Sequence, residues 1–413
     1  MQVPCWVLVD TMAKHILNAS VEIVPSLGED FEVRTSLFGT KIGATRYQVG
    51  LLQQFEQAAV IEERLQKLPF EQKESTRFLE QCLAKAILLE TDASGEAIFP
   101  KRVLSSSNFA NTPHFDPAEP AAYTFLGVPF DGLTTGNAGA RFGPNSIRAA
   151  SSGTRYRLDP HHLVPYGFYD YASAKTILKE ITLSDAGDVF YAPGESTADF
   201  FARVSDVVRE ICDAGSIPII MGGDHSITWP VMRALPHTEF GILHFDAHTD
   251  LGEAMPGTQL HHGSVFTHVL EKLEYVGPLV QFGLRGIIDA SEHIESKEVV
   301  QFGMEQLKDL SVEEMLKHIP DDRPYYLSID IDVVDPAYAP STGTPVPNGM
   351  LPSDLKSLVH TLARHRELIA IDAVEVGLCT NVHDSTGGVA MEVLLSAADG
   401  LVCGLENKID SPE

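Results

Sequence analysis

From residue 121 onward the chain repeats one alternation: a short apolar run breaks off at a cluster of polar residues or glycines, and a helical stretch follows. The runs include YTFLGVPF, IPIIMGG, GILHFDAH, PLVQFGLR, YYLSIDID and LIAIDAVEV, with TADFFARVSDVVREICDAG and VEEMLKHI among the helical stretches between them. Strands apolar on both faces need cover on both faces, and a helical crossover lets consecutive strands run parallel. The pattern therefore predicts an α/β fold in which a mostly parallel sheet is covered by helices. It shows no internal repeat.

At 413 residues the chain exceeds what one hydrophobic core usually serves, so a second, smaller unit is expected. The break falls at residues 93–120, where Ser, Asn, Pro and Gly collect and apolar periodicity is lost, as in a linker. Before it, SVEIVPS and FEVRTSLFGTKIG read as strands around a Gly-Glu-Asp turn. Helical patterns follow at RYQVGLLQQFEQ, AVIEERLQKL and KESTRFLEQCLAKAIL. The expected organisation is a small α+β unit over 1–92, a linker over 93–120 and a catalytic unit over 121–413.

Charge narrows the partners. With 30 basic against 57 acidic residues the formal charge is −27, which repels nucleic acid and anionic membrane surfaces and suits a cationic substrate. The five cysteines are far apart and form no CxxC pair, as expected in a reducing, cytoplasmic setting. The first residues lack a basic start and a cleavage site, and no apolar run reaches the roughly 18 residues of a bilayer crossing, so neither secretion nor membrane insertion is expected.

Ligands of open α/β sheets collect beyond the carboxyl ends of the strands, and the polar clusters lie there. GILHF runs into Asp246, His248 and Asp250, whose alternate spacing aims them into one space. YYLSI runs into Asp330 and Asp332, and IPIIMGG into Asp224 and His225. One such aspartate is most often a cap, and one such histidine a satisfied polar group. Gathered on three strand ends, they would leave buried negative charge unpaired unless cations neutralised it. Carboxylates with a minority of imidazoles and no nearby cysteine suit manganese better than a structural zinc, and nickel also fits the set. Even without Asp224, four carboxylates and two histidines exceed the needs of one ion and match a pair.

GGDHSIT at 222–228, DAHTD at 246–250, HHG at 261–263 and SIDIDVVDPAYAPSTGTPVPNG at 328–349 resemble the ureohydrolase family of arginases and agmatinases. The resemblance spans about 121–405, and LGVPFDGLTTGNAGARFGPNSIR at 126–148 is closer to agmatinases than to arginases. It implies a three-layer αβα domain, a homo-oligomer, and two Mn2+ ions or their Ni2+ equivalents. His225, Asp246, Asp250 and Asp330 would hold one ion, and Asp246, His248, Asp330 and Asp332 the other. It further implies that Asp250 takes a proton from the attacking water, that Glu375 grips the guanidinium and that His262, with His261 as its neighbouring competitor, delivers a proton to the departing amine. The products would be urea and an amine.

The sequence also departs from the family. Glu375 is followed by VGLCTNVHD, so the comparable downstream aspartate is Asp384, a few residues late, and Ser341 stands where glycine is common. The loop LGEAMPGTQLHH lacks the asparagine and serine with which arginases hold a free amino acid's carboxylate, so free arginine is not the expected substrate. The N-terminal unit resembles PqqD-like, winged-helix leader-peptide-binding domains, which capture an extended peptide at a strand edge. The resulting expectation is a peptide arginase that converts arginine residues of a ribosomal precursor peptide to ornithine. The alternative is a hydrolase of a small free guanidino compound such as agmatine, guanidine or a guanidino acid.

Overall fold

The computed structural model describes residues 14–17, 21–26, 31–35, 41–65, 72–91, 97–98, 100–105, 107–192, 194–236, 239–288, 299–379 and 384–410. The Gly-Glu-Asp turn expected at 28–30 and the segment 380–383 after Glu375 lie outside these residues.

The N-terminal part contains β1 (Lys14–Leu17), β2 (Val21–Pro25), β3 (Phe31–Thr35), β4 (Lys41–Ala44), α1 (Arg46–Gln53), β5 (Ala59–Val60), α2 (Ile61–Leu65), α3 (Gln72–Ala84), β6 (Leu88–Thr91) and β7 (Ala97–Ile98). Its strands form two antiparallel sheets, β2-β3-β4 and β5-β1-β6-β7. Helix α1 starts on a capping box, in which the Thr45 side chain accepts from the Gln48 N–H and the Gln48 side chain accepts from the Thr45 N–H. A separate core of Val33, Leu51, Leu52, Phe55, Phe78, Leu79 and Ile87 holds this part together.

The remainder contains β8 (Arg102–Val103), β9 (Tyr123–Gly127), α4 (Gly143–Ser151), β10 (Phe168–Asp170), β11 (Lys175–Ile177), β12 (Leu183–Val189), α5 (Thr197–Asp213), β13 (Ile217–Met221), α6 (Thr228–Met232), β14 (Phe240–Phe245) and α7 (Val265–Lys272). It continues through β15 (Val276–Leu284), β16 (Val299–Gly303), α8 (Met304–Asp309), α9 (Val312–Leu316), β17 (Tyr325–Asp330), α10 (Pro352–His365), β18 (Leu368–Val374) and α11 (Thr386–Asp410). Among the described residues nine strands make one sheet in the order β16-β15-β14-β17-β18-β13-β9-β12-β8. All neighbours are parallel except β8, which pairs antiparallel with β12. A large hydrophobic cluster packs on each side of the sheet, as expected for strands whose residues are buried on both faces.

Two sequence readings change in the structure. The stretch read as a linker is, where described, packed: Val103 joins the large sheet, and Phe109 and Phe115 are fully buried. Residues Thr386–Leu405 of α11 have the length and mean hydropathy (1.6) of a bilayer-crossing helix, but the segment is two-thirds (67%) buried inside the protein, so its apolar character serves the core.

Arg148 on α4 is fully buried and binds both carboxylate oxygens of Asp185 at 2.8 Å, Asp188 at 2.6 Å and the Gly187 carbonyl at 2.9 Å. This anchors the helix onto β12 and thereby fixes the loop 128–142, which ends at that helix. Removing the guanidinium would strand a buried carboxylate pair, so Arg148→Met is expected to lower the unfolding free energy by about 3–5 kcal/mol in chemical denaturation. A loss below about 1 kcal/mol would show that water screens the pair.

Candidate metal centre and guanidino site

Strands β14, β17, β18 and β13 are adjacent, parallel and in register, with His244 opposite Ser328, Asp330 opposite Val374 and Met221 opposite Ala373. The residues just past their carboxyl ends therefore emerge at one level: Asp246 from β14, Asp330 and Asp332 from β17, Glu375 from β18, and Asp224 and His225 from β13. The Gly222-Gly223 pair permits the last turn. A Cβ on Gly223 would stand 1.8 Å from the Phe130 carbonyl oxygen, which accepts the Asp224 N–H at 2.7 Å.

His225 Nδ1 lies 2.8 Å from Asp250 Oδ2, 3.4 Å from Asp246 Oδ2 and 3.5 Å from Asp330 Oδ2. Its other nitrogen settles what faces them. Ser328 Oγ donates to Asp372 Oδ1 at 2.7 Å, so it accepts from His225 Nε2–H at 2.8 Å. In the neutral ring Nδ1 then presents a lone pair to three carboxylate oxygens, and this buried atom has no aligned hydrogen bond. Such an arrangement demands a cation, or a proton in its place. His248 repeats it, with Nδ1 3.0 Å from Asp332 Oδ2 and 3.4 Å from Asp246 Oδ1. The donor set fits divalent ions, and the six sequence-selected residues converge as two groups sharing Asp246.

Protons stand in where cations would sit. Burial and the charges of Asp332 and Asp246 hold Asp330 well above the usual carboxylate range, and burial with Asp246 pushes Asp332 up to about 7. Burial pulls both histidines down, but their carboxylate contacts outweigh it: His225 is held well above its ordinary value and His248 is pushed up to about 11. Asp246 goes the other way; burial opposes its charge, yet contacts with His225, His244 and His248 keep it ionised.

Behind these residues lies a set of supports that the sequence reading did not select. His244 Nε2 lies 2.9 Å from Asp246 Oδ2 and its Nδ1 lies 2.8 Å from Gln281 Nε2. That amide nitrogen also donates to the Thr249 carbonyl at 2.7 Å, while Gln281 Oε1 accepts from Gln301 at 2.9 Å, which fixes the amide orientation. His244 Nδ1 is thus an acceptor and Nε2–H a donor to Asp246, so His244 orients Asp246 and turns an N–H rather than a lone pair toward the cluster. Asp372 likewise gathers Thr228, Tyr326 and Ser328 beneath His225. The only sequence signal was position, since His244 and Ser328 precede ligands by two residues and share their strand face. Asp224, the other strand-end candidate, accepts from Ser226 and Leu133 N–H groups and is a loop cap; burial and Glu375 push its carboxyl up to about 7.

The remaining candidates surround the cluster. Glu375 Oε1 accepts the His225 N–H at 2.9 Å and contacts His262 Nδ1 at 3.0 Å, whereas Oε2 is buried and accepts nothing among the described residues. His261 turns away, its Nε2 2.9 Å from the Glu253 carbonyl oxygen, and leaves His262 as the histidine facing the site. Asp250 and Glu375 both adopt left-handed backbone, with φ of 50° and 59°. For residues with a side chain that costs about 1–3 kcal/mol each, a strain typical of positions fixed for function. Asp384 accepts from Ser341 Oγ and from the Thr386 N–H, tying the 341–344 loop to the start of α11.

Two outcomes follow. Metal loading must displace the protons held by the histidines and by Asp330, so it acidifies weak buffer, and its midpoint should rise about tenfold per pH unit of acidification for each proton displaced; a pH-independent titration would contradict this. His244→Phe should weaken metal affinity about 10–100-fold while the fold, read by circular dichroism, stays intact.

The comparisons with known proteins agree with this geometry. Residues 121–399 match the Arginase family model. Guanidinopropionase of Pseudomonas aeruginosa is 34% identical over 298 residues, which cover 69% of this chain and 88% of that protein. Mitochondrial agmatinase of Gallus gallus is 30% identical over 309 residues, covering 71% and 84%. The structure of proclavaminate amidino hydrolase from Streptomyces clavuligerus aligns with a TM-score of 0.60 at 28% identity, covering 74% of this chain and 100% of that one. With the profile, the relatives and the sheet in accord, the chain belongs to the arginase family and is a hydrolase of guanidino groups.

Proposed function

We propose that the chain hydrolyses a small free guanidino compound, agmatine in preference to guanidino acids, to urea and the matching amine. The observation that carries this is Glu375 Oε2. A buried carboxylate oxygen without a donor costs about 1–3 kcal/mol or more, and a guanidinium N–H relieves it through a charge-assisted bond. Gly343 leaves room beside it, since a Cβ there would come within 3.3 Å of that oxygen. The names of the relatives point to small guanidino substrates as well. The preference for a cationic tail comes from the neighbouring arginines: Arg141 is paired with Asp131, and Arg285 donates to the carbonyls of Asp332, Val333 and Val346. Among the described residues the charge of Arg141 is thus matched by Asp131 and the donors of Arg285 by main-chain carbonyls, an arrangement that favours a substrate without a carboxylate.

In this reading His225, Asp246, Asp250 and Asp330 would hold one divalent ion, Mn2+ by choice or Ni2+, and Asp246, His248, Asp330 and Asp332 would hold the second. Bound there, the pair supplies nucleophilic water at neutral pH. Asp250 takes up a proton, Glu375 fixes the guanidinium plane, and His262 provides the proton that lets the amine depart.

A second reading is favoured by β4, an edge strand of the small β2-β3-β4 sheet. Beside it runs a groove of about 370 Å³ lined by Phe31, Lys41, Ile42, Thr45 and Gln48, where an extended peptide could add to the sheet. The peptide-arginase reading rests on that edge. Urea release and mass change, measured with the full-length, manganese-loaded protein on agmatine, 3-guanidinopropionate, guanidine, free arginine and an arginine-containing peptide, separate the two. Agmatine is expected to give the highest kcat/KM. Faster turnover of the peptide would reverse the order of the two readings, and no urea from any substrate would remove both.

A further inference from the structure

His262 is held at both ring nitrogens. Nε2 lies 3.0 Å from the Thr135 backbone nitrogen and 2.7 Å from the Thr135 hydroxyl, and Nδ1 lies 3.0 Å from Glu375 Oε1. A backbone N–H can only donate, so Nε2 accepts, the ring proton sits on Nδ1, and the ring is neutral with its proton toward Glu375. The arrangement is stitched in place from both sides: the His262 N–H donates to the Leu133 carbonyl at 3.1 Å, and the Leu133 N–H donates to Asp224 at 2.9 Å.

A neutral ring that gives up its only proton would become an imidazolate unless Nε2 gained one. The amide of Thr135 does not release its proton at neutral pH. Among the described residues the hydroxyl is the group at Nε2 suited to both states, since it donates to the bare nitrogen and accepts from Nε2–H. Thr135 itself is exposed, so its hydroxyl stands between the ring and solvent.

We infer that Thr135 is the positioning and proton-relay residue for His262 in the hydrolysis proposed above. Its N–H selects the tautomer, and its hydroxyl connects Nε2 to solvent. As the Nδ1 proton passes to the departing nitrogen, the hydroxyl proton passes to Nε2 and solvent restores the hydroxyl. The amine gains two protons, one from Asp250 and one from Nδ1. The consumed water supplies both, one through Asp250 and one that refills Nδ1, while the Nε2 proton returns through Thr135 to solvent. Solvent thus gains and loses nothing over a turnover.

The inference rests on the guanidino-hydrolase reading but fails separately from it: urea release by the native protein tests that reading, and Thr135 variants test this one. The full-length, manganese-loaded Thr135→Val and Thr135→Ser variants are compared with the native protein on whichever panel substrate it turns over. Thr135→Val is expected to lower kcat about a hundredfold with metal content and KM within about twofold, and Thr135→Ser to recover most of the loss. In mixed light and heavy water the kcat of the native protein should bow with deuterium fraction, as for two protons in flight, and that of Thr135→Val should fall on a straight line. Native kcat in Thr135→Val overturns the inference. So does a loss shared by Thr135→Ser with KM raised in step, which would mark a packing role.

Discussion

Everything at the carboxyl edge of the large sheet answers to one electrostatic constraint. Asp246, Asp250, Asp330 and Asp332 are brought within a few ångströms of one another in a buried space, where like charges cannot coexist unscreened. The crowding comes with a histidine, His225, whose inner nitrogen lacks an aligned hydrogen bond, and with left-handed backbone at Asp250 and Glu375. A pair of divalent cations would offset the negative charge gathered here.

Direction is imposed from outside the cluster. Buried polar residues with a single workable hydrogen-bond pattern, Gln281 for His244 and Ser328 with Asp372 for His225, decide which ring nitrogen faces inward. Glu375 adds a different kind of bridge, since one oxygen is tied to His225 and His262 while the other is left open. The candidate metal cluster and the open oxygen beside it therefore share a single carboxylate, and a displacement of β18 would disturb both.

The α/β class was legible in the sequence because strands buried on both faces leave uninterrupted apolar runs, and the clustering of Asp246, His248 and Asp250 was legible because they sit at alternate positions past such a run. His244, Ser328 and Asp372 were hidden inside those runs, where a polar residue among valines and leucines carries no sign of what lies across the strand. Thr135 was hidden for another reason: its contact with His262 joins residues 127 apart, which no spacing rule reaches. The packed stretch around Val103 and Phe109 was misread because short elements rich in Ser, Asn and Pro look like a linker even when two phenylalanines anchor them.

That stretch gives β8 a meaning beyond connection. It covers the backbone of β12 at one margin of the large sheet, and its own Arg102 reaches Glu210 on α5 at 2.9 Å. A fragment trimmed to the residues that match the family would bare a row of unpaired amide and carbonyl groups, the kind of surface that recruits strands from other molecules. The short antiparallel cover thus acts as a guard against self-association, and tolerable trimming ends before it.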